Sequence, residues 1–587
     1  MIIQSLVSLY DRLKKSSVEQ LPSFGYAEQK VSFALVLDLE GILLQVKDLR
    51  INDGKKLRPK MMVLPSIERS GSGFNPQFLW DNTQYILGAV LWDEKNEQKA
   101  KERKERAKEA FGAFKEYHCN LLSEKDDDEV RAVLKFLGQW NPEDAEKLEG
   151  WSEIADTNLV FMIDGQRQYV HQLKSFTGLW ERIFSEKENP EEGTCLLTGD
   201  KLPLARLHPM VKNVDGAQAK GAAIASFNKD AFCSYNKEQS YNSPLNLQSA
   251  FKYSSVLNYL LRRSSDNRQR IRIGDTTTVF WAERESPVES FLGMVFDPRD
   301  SDAESEQVRI FLNSAKKGQK PSSLEGGVLF YILGLSPNNS RLAVRFWHVC
   351  SVEDLMKCIG MHFKNLEMER TWDSDPLNPG IWHLLRETTN KKTKDGPSHL
   401  LGGALMRSIL EGTHYPLNLF TGVLNRIRAE QANKDKKGKS IPNVNYLRAA
   451  ICKAILIRNY KMEVPMSLDT EKKDIAYLLG RLFAVLEKAQ RDALGQNINA
   501  TIKDRFYGAA SATPATVFPL LLRLSQHHIS KSDYGYVSDR RIAEIMDKID
   551  DFPSHMDLKQ QGLFAIAYYQ QRNSLFPKKD KAEDSKE

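Results

Sequence analysis

The sequence predicts an α+β N-terminal part with antiparallel sheet elements, followed by an all-α C-terminal helical bundle. Alternating apolar residues around a turn, at residues 30–50 and 326–349, predict two antiparallel hairpins. From about residue 376 the apolar residues recur at helical spacing, and the strand patterns disappear. The 587 residues are enough for roughly two to four domains. These observations predict three segments, 1–375, 376–465 and 466–587.

The individual elements follow from local patterns in chain order. The opening residues MIIQSLVSLYDRLKK place apolar side chains at helical spacing and predict a first helix. In the first hairpin the β-branched residues alternate, and Gly41 marks the turn. Residues 94–118 carry many charged pairs four positions apart, which is typical of a solvated helix. The second hairpin turns at residues 336–340, and residues 352–363 have the apolar spacing of a helix.

Charge and cysteine content exclude several classes of protein. The net charge of +6, from 83 basic and 77 acidic residues, allows an anionic partner without requiring one. The six cysteines are scattered without a CxxC pair, which argues against a zinc ribbon and against a disulfide framework. The N-terminus lacks the order of a signal peptide, and no uncharged window is long enough for a membrane span. We expect a soluble cytoplasmic protein without a metal or cofactor.

The sharpest enzymatic candidate is the pair Asp38 and Glu40. Two positions apart on a strand, they would point to one face, as the carboxylates of two-metal 3′–5′ exonucleases do. Such enzymes need further acidic and histidine residues, and the suitably spaced His528 and Asp533 follow only 490 residues after Asp38. Exposed strand or turn residues are therefore the favoured interpretation. Phosphate-binding loops, HExxH and GxSxG are absent, so we expect a binding protein, with a metal-dependent nuclease as the alternative.

One polar and aromatic stretch, SFNKDAFCSYNKEQSYNSP at residues 226–244, indicates contact with nucleic acid. Amides and hydroxyls hydrogen-bond to phosphates and base edges, while aromatic rings stack on bases or wedge between them. We expect either Phe227 or Tyr235 to act as the wedge. The predicted readers of base edges are Asn228, Asn236, Gln239 and Asn242.

A second loop, RSGSGFN at residues 69–75, competes for the same role. Its small residues would fit into a groove and bring Asn75 and Asn82 near the bases. The residues of this loop with a predicted contact are Arg69, Ser70, Gly71 and Ser72. Lys316 and Lys317 lie in a basic segment and are predicted to hold phosphates. For each loop the alternative is a polar segment that packs on its own domain.

Several ordered segments of the chain resemble the large subunit of the type I-C CRISPR surveillance complex (Cascade), of the Csd-type family. The resemblance spans essentially the whole chain and rests on content and order together. The segments are MIIQSLVSLYDRL, FALVLDLEG, FLWDNTQYILG, CLLTGD, GAAIASFNKDAFCSYNKEQSYNSP and HLLGGALMRSILEGTHYP.

The resemblance implies a non-catalytic subunit that recognises the protospacer-adjacent motif on duplex DNA and helps to open the duplex. The guide RNA would then read the long target by base pairing. The implied partners are the guide RNA, the target duplex and its displaced strand, the backbone and RNA-handle-binding subunits, and a separate helicase-nuclease. Residues 1–375 would recognise the motif and anchor the chain in the complex. A scaffold that binds only protein and the RNA handle is a further alternative.

The C-terminal segment carries a signal for a second product that begins at Met466. Ser467 and Asp469 follow it and are able to cap a helix. The preceding Met462-Glu-Val can be encoded by a strong ribosome-binding sequence, and a chain from Met466 would have 122 residues. The resemblance points the same way, because type I-C systems supply their small subunit by internal initiation. A plain linker before a domain is the alternative.

Overall fold

A computed structural model describes most of the chain. The residues outside the description are 17–20, 53–55, 68, 70–72, 93–96, 177, 188–189, 265, 274, 298–305, 318–326, 391–395, 435–440, 496–499 and 576–587. The chain divides into two compact units. Unit 1 comprises residues 1–211 and 223–259, and unit 2 comprises residues 212–222 and 260–587.

Unit 1 combines short antiparallel ribbons, a four-stranded mixed sheet and helices. Its strands are β1 Tyr26–Val31, β2 Phe33–Leu37, β3 Leu43–Asp48, β4 Ile51–Asn52, β5 Leu57–Arg58, β6 Lys60–Pro65, β7 Trp80–Asn82, β8 Asn158–Ile163, β9 Glu192–Thr194 and β10 Lys201–Pro203. Its helices are α1 Ile2–Lys15, α2 Thr83–Ile86, α3 Glu97–Leu122, α4 Asp128–Gln139, α5 Trp151–Ile154, α6 Leu179–Lys187 and α7 Leu247–Leu260. The four-stranded sheet has the order β3-β2-β8-β7, in which only β2 and β8 are parallel.

The first predicted hairpin is confirmed, because β2 and β3 pair in antiparallel register around Gly41. Gly41 has φ +78°, and a Cβ at this position would lie 2.6 Å from the carbonyl oxygen of Ala132 in α4. Only glycine combines this backbone conformation with so close an approach. The strand β2 is buried along its whole length, with Phe33 and Leu35 packed in one apolar cluster and Ala34 in another. The apolar run FALVL therefore covers both faces of the sheet.

The charged helix α3 is solvated on one side and buried on the other. Its buried stripe includes Phe111, Phe114 and His118. The Nε2 atom of His118 accepts a hydrogen bond of 2.9 Å from the amide of Leu79, and Nδ1–H donates one of 2.8 Å to the carbonyl of Phe114. Burial lowers the pKa of His118 to about 4, although the Phe114 carbonyl opposes this. The imidazole of His118 is therefore neutral in the folded protein at neutral pH.

Unit 2 begins with an antiparallel sheet of order β11-β12-β13-β14. Its strands are β11 Arg270–Ile273, β12 Thr276–Ala282, β13 Leu329–Asn338 and β14 Arg341–Ser351. The second predicted hairpin is confirmed by the pairing of β13 with β14. The turn is tighter than the predicted 336–340, because the strand pairing continues to Asn338 and Arg341.

Helices form the rest of unit 2. They are α8 Val288–Phe296, α9 Glu306–Lys316, α10 Val352–Leu366, α11 Ile381–Arg386, α12 His399–Glu411, α13 Leu417–Ala429, α14 Tyr446–Tyr460, α15 Ile475–Leu494, α16 Ile502–Ala512, α17 Pro514–Lys531, α18 Gly535–Met546 and α19 Leu558–Leu575. The predicted α+β part and the all-helical C-terminal region are therefore confirmed. None of the helices in the described ranges is long and apolar enough to cross a membrane.

The helix α19 is the centre of the C-terminal bundle. Residues 561–571 of this helix are all buried, so it has no solvent-facing side over three turns. The buried carboxylate of Glu487 on α15 accepts hydrogen bonds of 2.6 Å from the hydroxyl of Tyr568 and 2.7 Å from Arg491, and Arg572 lies 3.8 Å away. One apolar cluster contains buried residues from Ile271 to Leu575, on both sides of positions 375 and 465. The predicted divisions after these positions therefore remain predictions about the roles of the segments.

Candidate nucleic-acid interface

The stretch at residues 226–244, here called the amide loop, lies on the surface of unit 1. Buried His208 fixes its C-terminal end through a contact of 3.2 Å from Nε2 to the Ser243 carbonyl and one of 3.1 Å from Nδ1 to the hydroxyl of Tyr253. The amide of Leu196 donates a hydrogen bond of 2.9 Å to the carbonyl of Pro244. These contacts fix the C-terminal end of the amide loop to the rest of unit 1.

The side chain of Asn242 closes the amide loop from inside. Its Oδ1 accepts hydrogen bonds from the amide and the hydroxyl of Ser234, at 2.9 and 3.3 Å. Its Nδ2 donates to the carbonyls of Lys237 and Gln239, at 2.6 and 3.1 Å. Both the oxygen and the nitrogen of the carboxamide therefore have hydrogen-bond partners within the loop. This arrangement favours a positioning role for Asn242 over the predicted reading of a base edge.

Gln239 is also held within unit 1. Its Oε1 accepts a hydrogen bond of 2.9 Å from Arg206, and the carbonyl of Arg206 accepts one of 3.2 Å from the amide of Ser240. Sequence reasoning favoured a structural role for His208 but connected neither Arg206 nor His208 with the amide loop, because both precede it by many residues. Neither has a spacing pattern that would connect it to the loop, and only the fold brings them together.

Tyr235 is the most exposed aromatic side chain of the amide loop, with 93% of its surface accessible. Tyr235 and Asn236 both adopt left-handed backbone conformations, with φ of +53° and +56°. Such conformations cost about 1–3 kcal/mol each in non-glycine residues and occur most often at functional sites. Phe227, the other predicted wedge, is half-buried, whereas Asn228 and Asn236 are exposed. The geometry therefore favours Tyr235 over Phe227 as a ring that can enter a base stack.

The surroundings of the amide loop are basic. Within unit 1, residues 201–211 and 223–244 contain four lysines and arginines but only two acidic residues. Lys229 and Lys237 flank Tyr235 along the chain, and both are exposed. A local excess of positive charge next to an exposed ring and amides suits a polyanion whose bases can be contacted.

The second predicted loop is closed at its base by Arg69. The guanidinium forms an ion pair with buried Asp81, donates a hydrogen bond of 2.8 Å to the carbonyl of Asn75, and lies 4.2 Å from the ring centre of Tyr85. Burial raises the pKa of Asp81, and the charge of Arg69 opposes this shift. These contacts favour a positioning role for Arg69. Ser70, Gly71 and Ser72 lie outside the described residues.

The remaining predicted contacts differ in accessibility. Asn75 is half-buried, and Asn82 ends strand β7 with its Oδ1 buried and without a hydrogen-bond partner among the described residues. In unit 2, Lys316 is largely buried at 3.8 Å from Glu367, and burial lowers its pKa despite that carboxylate. The neighbouring Lys317 is exposed. Lys317 is therefore the better placed of the two lysines for a phosphate.

The carboxylates of the nuclease alternative have structural partners. Oδ1 of Asp38 accepts hydrogen bonds from the amides of Glu40 and Ile42, at 3.0 and 2.8 Å, which stabilises the hairpin turn. Glu40 forms an ion pair of 2.7 Å with Lys135. Within the described ranges no group of three or more histidine, cysteine or acidic side chains is placed to hold a metal ion. These contacts agree with the interpretation of Asp38 and Glu40 as turn residues.

Met466 lies on the surface of unit 2 at a bend, not at a helix start. The carbonyl of Met466 accepts a hydrogen bond of 3.1 Å from the amide of Glu369. The next helix begins only at Ile475, where Asp474 caps it by accepting a hydrogen bond of 2.9 Å from an amide of the first turn. The expected capping by Ser467 or Asp469 is therefore wrong. The carboxylate of Asp469 instead accepts a hydrogen bond of 2.9 Å from the amide of Glu471, a local turn contact outside any helix.

The segment after Met466 continues the packing of the helices before it. A Cβ on Gly562 of α19 would lie 2.6 Å from the ring of Phe420 in α13. The hydroxyl of Tyr569 donates a hydrogen bond of 2.8 Å to the carbonyl of Glu369. A separate product from Met466 would lack these partners and would expose this side of α19.

Comparison with known proteins places nearly the whole chain in one family. A search among curated proteins finds no match. The sequence model for a CRISPR-associated protein (Cas_Csd1) matches residues 6–576, which include every described strand, the helices α2 to α19 and all the loops described above. The chain therefore belongs to the Cas_Csd1 family of CRISPR-associated proteins.

Proposed function

We propose that the chain is the non-catalytic large subunit of a type I-C CRISPR RNA-guided surveillance complex, and that it reads the protospacer-adjacent motif with the amide loop. Family membership supports the place in a CRISPR complex. The observation that carries the reading role is the pre-formed loop that presents Tyr235 almost fully to solvent. The internal hydrogen bonds of Asn242 keep this loop ordered without DNA, so little ordering is needed on binding.

In this proposal three kinds of side chain in the amide loop have separate roles in binding DNA. Tyr235 enters the base stack as a wedge, and unstacking costs a few kcal/mol per step. Asn228 and Asn236 contact base edges, and the minor groove suits such short amides. Lys229 and Lys237 hold the flanking phosphates. The wedge opens the duplex beside the motif, and pairing with the guide RNA then extends the opening.

The wider role follows from the same proposal. The chain anchors beside the subunits that hold the guide RNA, stabilises the displaced strand, and helps to recruit the helicase-nuclease. The small subunit comes from internal initiation at Met466. No step of this role requires catalysis or a metal ion bound to this chain.

The direct test is duplex binding by the assembled complex at fixed salt, with and without the correct motif. Asn228→Ala should lose roughly 1–3 kcal/mol of binding free energy, mostly on the correct motif. Lys317→Ala should weaken binding to every duplex and reduce the salt slope by about 0.9, whereas the matched Lys316→Ala should change little. If the asparagine and lysine variants weaken all duplexes equally, direct reading by the amide loop is wrong.

A target duplex that is already unpaired beside the motif separates the wedge role of Tyr235 from its other contacts. Tyr235→Ala should bind a fully paired target less tightly, because the cost of unstacking is no longer offset. The same variant should bind a target that carries a mismatched bubble beside the motif as the wild type does. Equal losses on both targets would contradict a wedge. No loss on either target would favour the scaffold alternative, in which the chain contacts only protein and the RNA handle.

A further inference from the structure

The strand β14 is an open edge of the antiparallel sheet in unit 2. In the strand order β11-β12-β13-β14 it pairs with β13 alone. It is 11 residues long and contains two arginines but neither lysine nor proline. The opposite edge, β11, has only 4 residues, and two of them are arginine. Proteins usually protect sheet edges by keeping them short, charged or interrupted by proline, so β11 is protected in this way and β14 much less so.

The pairing with β13 shows which backbone groups of β14 face outwards. The amide of Val352 donates a hydrogen bond of 3.0 Å to the carbonyl of Val328, so hydrogen-bonded pairs alternate from this point along the two strands. Trp347 and Val349 belong to the non-hydrogen-bonded pairs and direct their amides and carbonyls away from β13. Among the described residues these four groups have no hydrogen-bond partner. A further strand beside β14 would satisfy them.

Apolar side chains are exposed along the same edge. Val344 and Val349 are each 42% exposed, and the half-buried ring of Trp347 stacks on Tyr331 with 5.7 Å between the ring centres. The partners of these side chains on β13 are alternate residues, so all of them lie on one face of the sheet despite the bulge at Arg345. A strand paired with β14 would extend this face and cover its apolar side chains.

On the other face, β14 borders a groove against the C-terminal end of helix α12. The groove has a volume of about 230 Å³ and is lined by Phe346, Trp347, His348, Arg407, Leu410 and Glu411. This volume is smaller than that of most small-molecule pockets and suits the side chains of a peptide. Arg407 is exposed and, within the described ranges, has no acidic partner, whereas Glu411 lies 3.9 Å from His348. The groove therefore favours an acidic side chain at Arg407.

We propose that β14 binds an extended segment of another protein as a fifth strand of this sheet. The backbone of that segment pairs with Trp347 and Val349, its apolar side chains cover the exposed face, and an acidic side chain enters the groove and reaches Arg407. An extended chain is the suitable occupant, because it satisfies the amides and carbonyls of the edge and contacts both faces of the sheet. The bulge at Arg345 limits regular pairing to residues 346–351. The inference goes beyond the proposed function, because it concerns a contact with protein and not the reading of DNA.

The first part of the test uses synthetic peptides and the full-length chain. The probe is a labelled peptide of about seven residues in which valine and threonine alternate around a central glutamate, and fluorescence anisotropy measures its binding. A strand pairs with β14 through one edge only, so one of two peptides methylated at the backbone nitrogens of a single edge should bind as the unmodified peptide does. The peptide methylated on both edges should not bind, because no amide is left to donate to β14. Binding of that peptide would overturn the proposal.

Variants of Val349 test the same contact from the side of the chain. Val349→Pro removes the outward N–H, and proline is tolerated at such positions of an edge strand, so the sheet should stay folded. Peptide affinity should fall by roughly 2- to 12-fold, the factor that corresponds to one hydrogen bond. Val349→Thr is the matched control, because it keeps the N–H and the β-branched shape, and it should bind as the wild type does. If Val349→Pro lowers the thermal unfolding midpoint, the methylated peptides decide the question.

The charge preference of the groove is tested with Arg407→Gln. The peptide with glutamate should bind more tightly than its lysine counterpart, by up to roughly fivefold, and Arg407→Gln should remove this preference. Equal binding of both peptides by the wild type would overturn the acidic partner.

Sedimentation of the chain alone tests the other possible occupant, a second copy. A dimer that Val349→Pro converts into a monomer would assign β14 to a second copy and overturn the proposal, as would absence of peptide binding. A monomer that binds the peptide supports it. Tyr235→Ala should bind the peptide as the wild type does, so a failure of motif reading by the amide loop leaves this result unchanged.

Discussion

Asn242 offers the sharpest test of how the amide loop works. Asn242→Ala removes a carboxamide that accepts two hydrogen bonds and donates two within the loop, without touching the exposed ring of Tyr235. Because Tyr235 and Asn236 are in left-handed conformations, the loop should relax to a broader ensemble once this closure is lost. The variant therefore perturbs the position of the wedge and leaves its chemistry intact.

The size of the effect follows from those four hydrogen bonds. Each contributes roughly 0.5–1.5 kcal/mol net, and the groups left behind are near solvent, so the lower end applies. The ordered loop should thus lose about 2 kcal/mol, which corresponds to roughly a 30-fold lower population. We expect affinity for a fully paired target with the correct motif to fall by up to that factor. The thermal midpoint of the whole chain should hardly move, because the loop is on the surface.

A double-mutant cycle with Tyr235→Ala decides between positioning and direct contact. If Asn242 acts through Tyr235, the double variant should bind no more weakly than Tyr235→Ala alone, since there is no ring left to position. The assay is duplex binding by the assembled complex at fixed salt. Additive losses would refute the reasoning and would return Asn242 to the predicted role of a base reader.

Four further predictions concern other parts of the chain. Purified protein with Mg²⁺ or Mn²⁺ should leave DNA and RNA intact, and cleavage that disappears in Asp38→Ala would revive the nuclease alternative. Replacing the Met466 codon by one for a non-start residue should remove a 122-residue product that co-purifies with the complex, and absence of that product in the unaltered strain would contradict internal initiation. Glu487→Leu should lower the free energy of unfolding of unit 2 by about 3–5 kcal/mol, because arginines lose their buried counter-charge, and a smaller loss in thermal melts would show that these arginines find solvent. The pKa of His118 is lowered by burial, so the stability it provides is complete above about pH 6.5 and is lost as pH falls towards its folded pKa of about 4, by about 3 kcal/mol in all; unfolding midpoints at pH 7.5 and 5 should differ less in His118→Gln.

The sequence alone determined the elements whose patterns are local. The alternation on both sides of Gly41 predicted a hairpin, and the structure has one, because strand period and turn residue are both properties of neighbouring positions. The same holds for the helical spacing after residue 376. The composition of residues 226–244 also distinguishes the amide loop from the rest of the chain, because clustered amides and rings are unusual in a core.

The tertiary structure alone decided what each polar side chain of the candidate site is able to do. Asn236 and Asn242 are equivalent by residue type, yet one is exposed and the other is held by four hydrogen bonds inside the loop. Lys316 and Lys317 are adjacent, yet only Lys317 is exposed, because Lys316 at the end of helix α9 is largely buried at 3.8 Å from Glu367. The sequence by itself therefore determined which segments form the elements and which segment is the candidate for contact with bases. Partners distant in the chain decided which side chains are free to use that chemistry, because hydrogen bonds and burial depend on the approach of segments that no local pattern specifies.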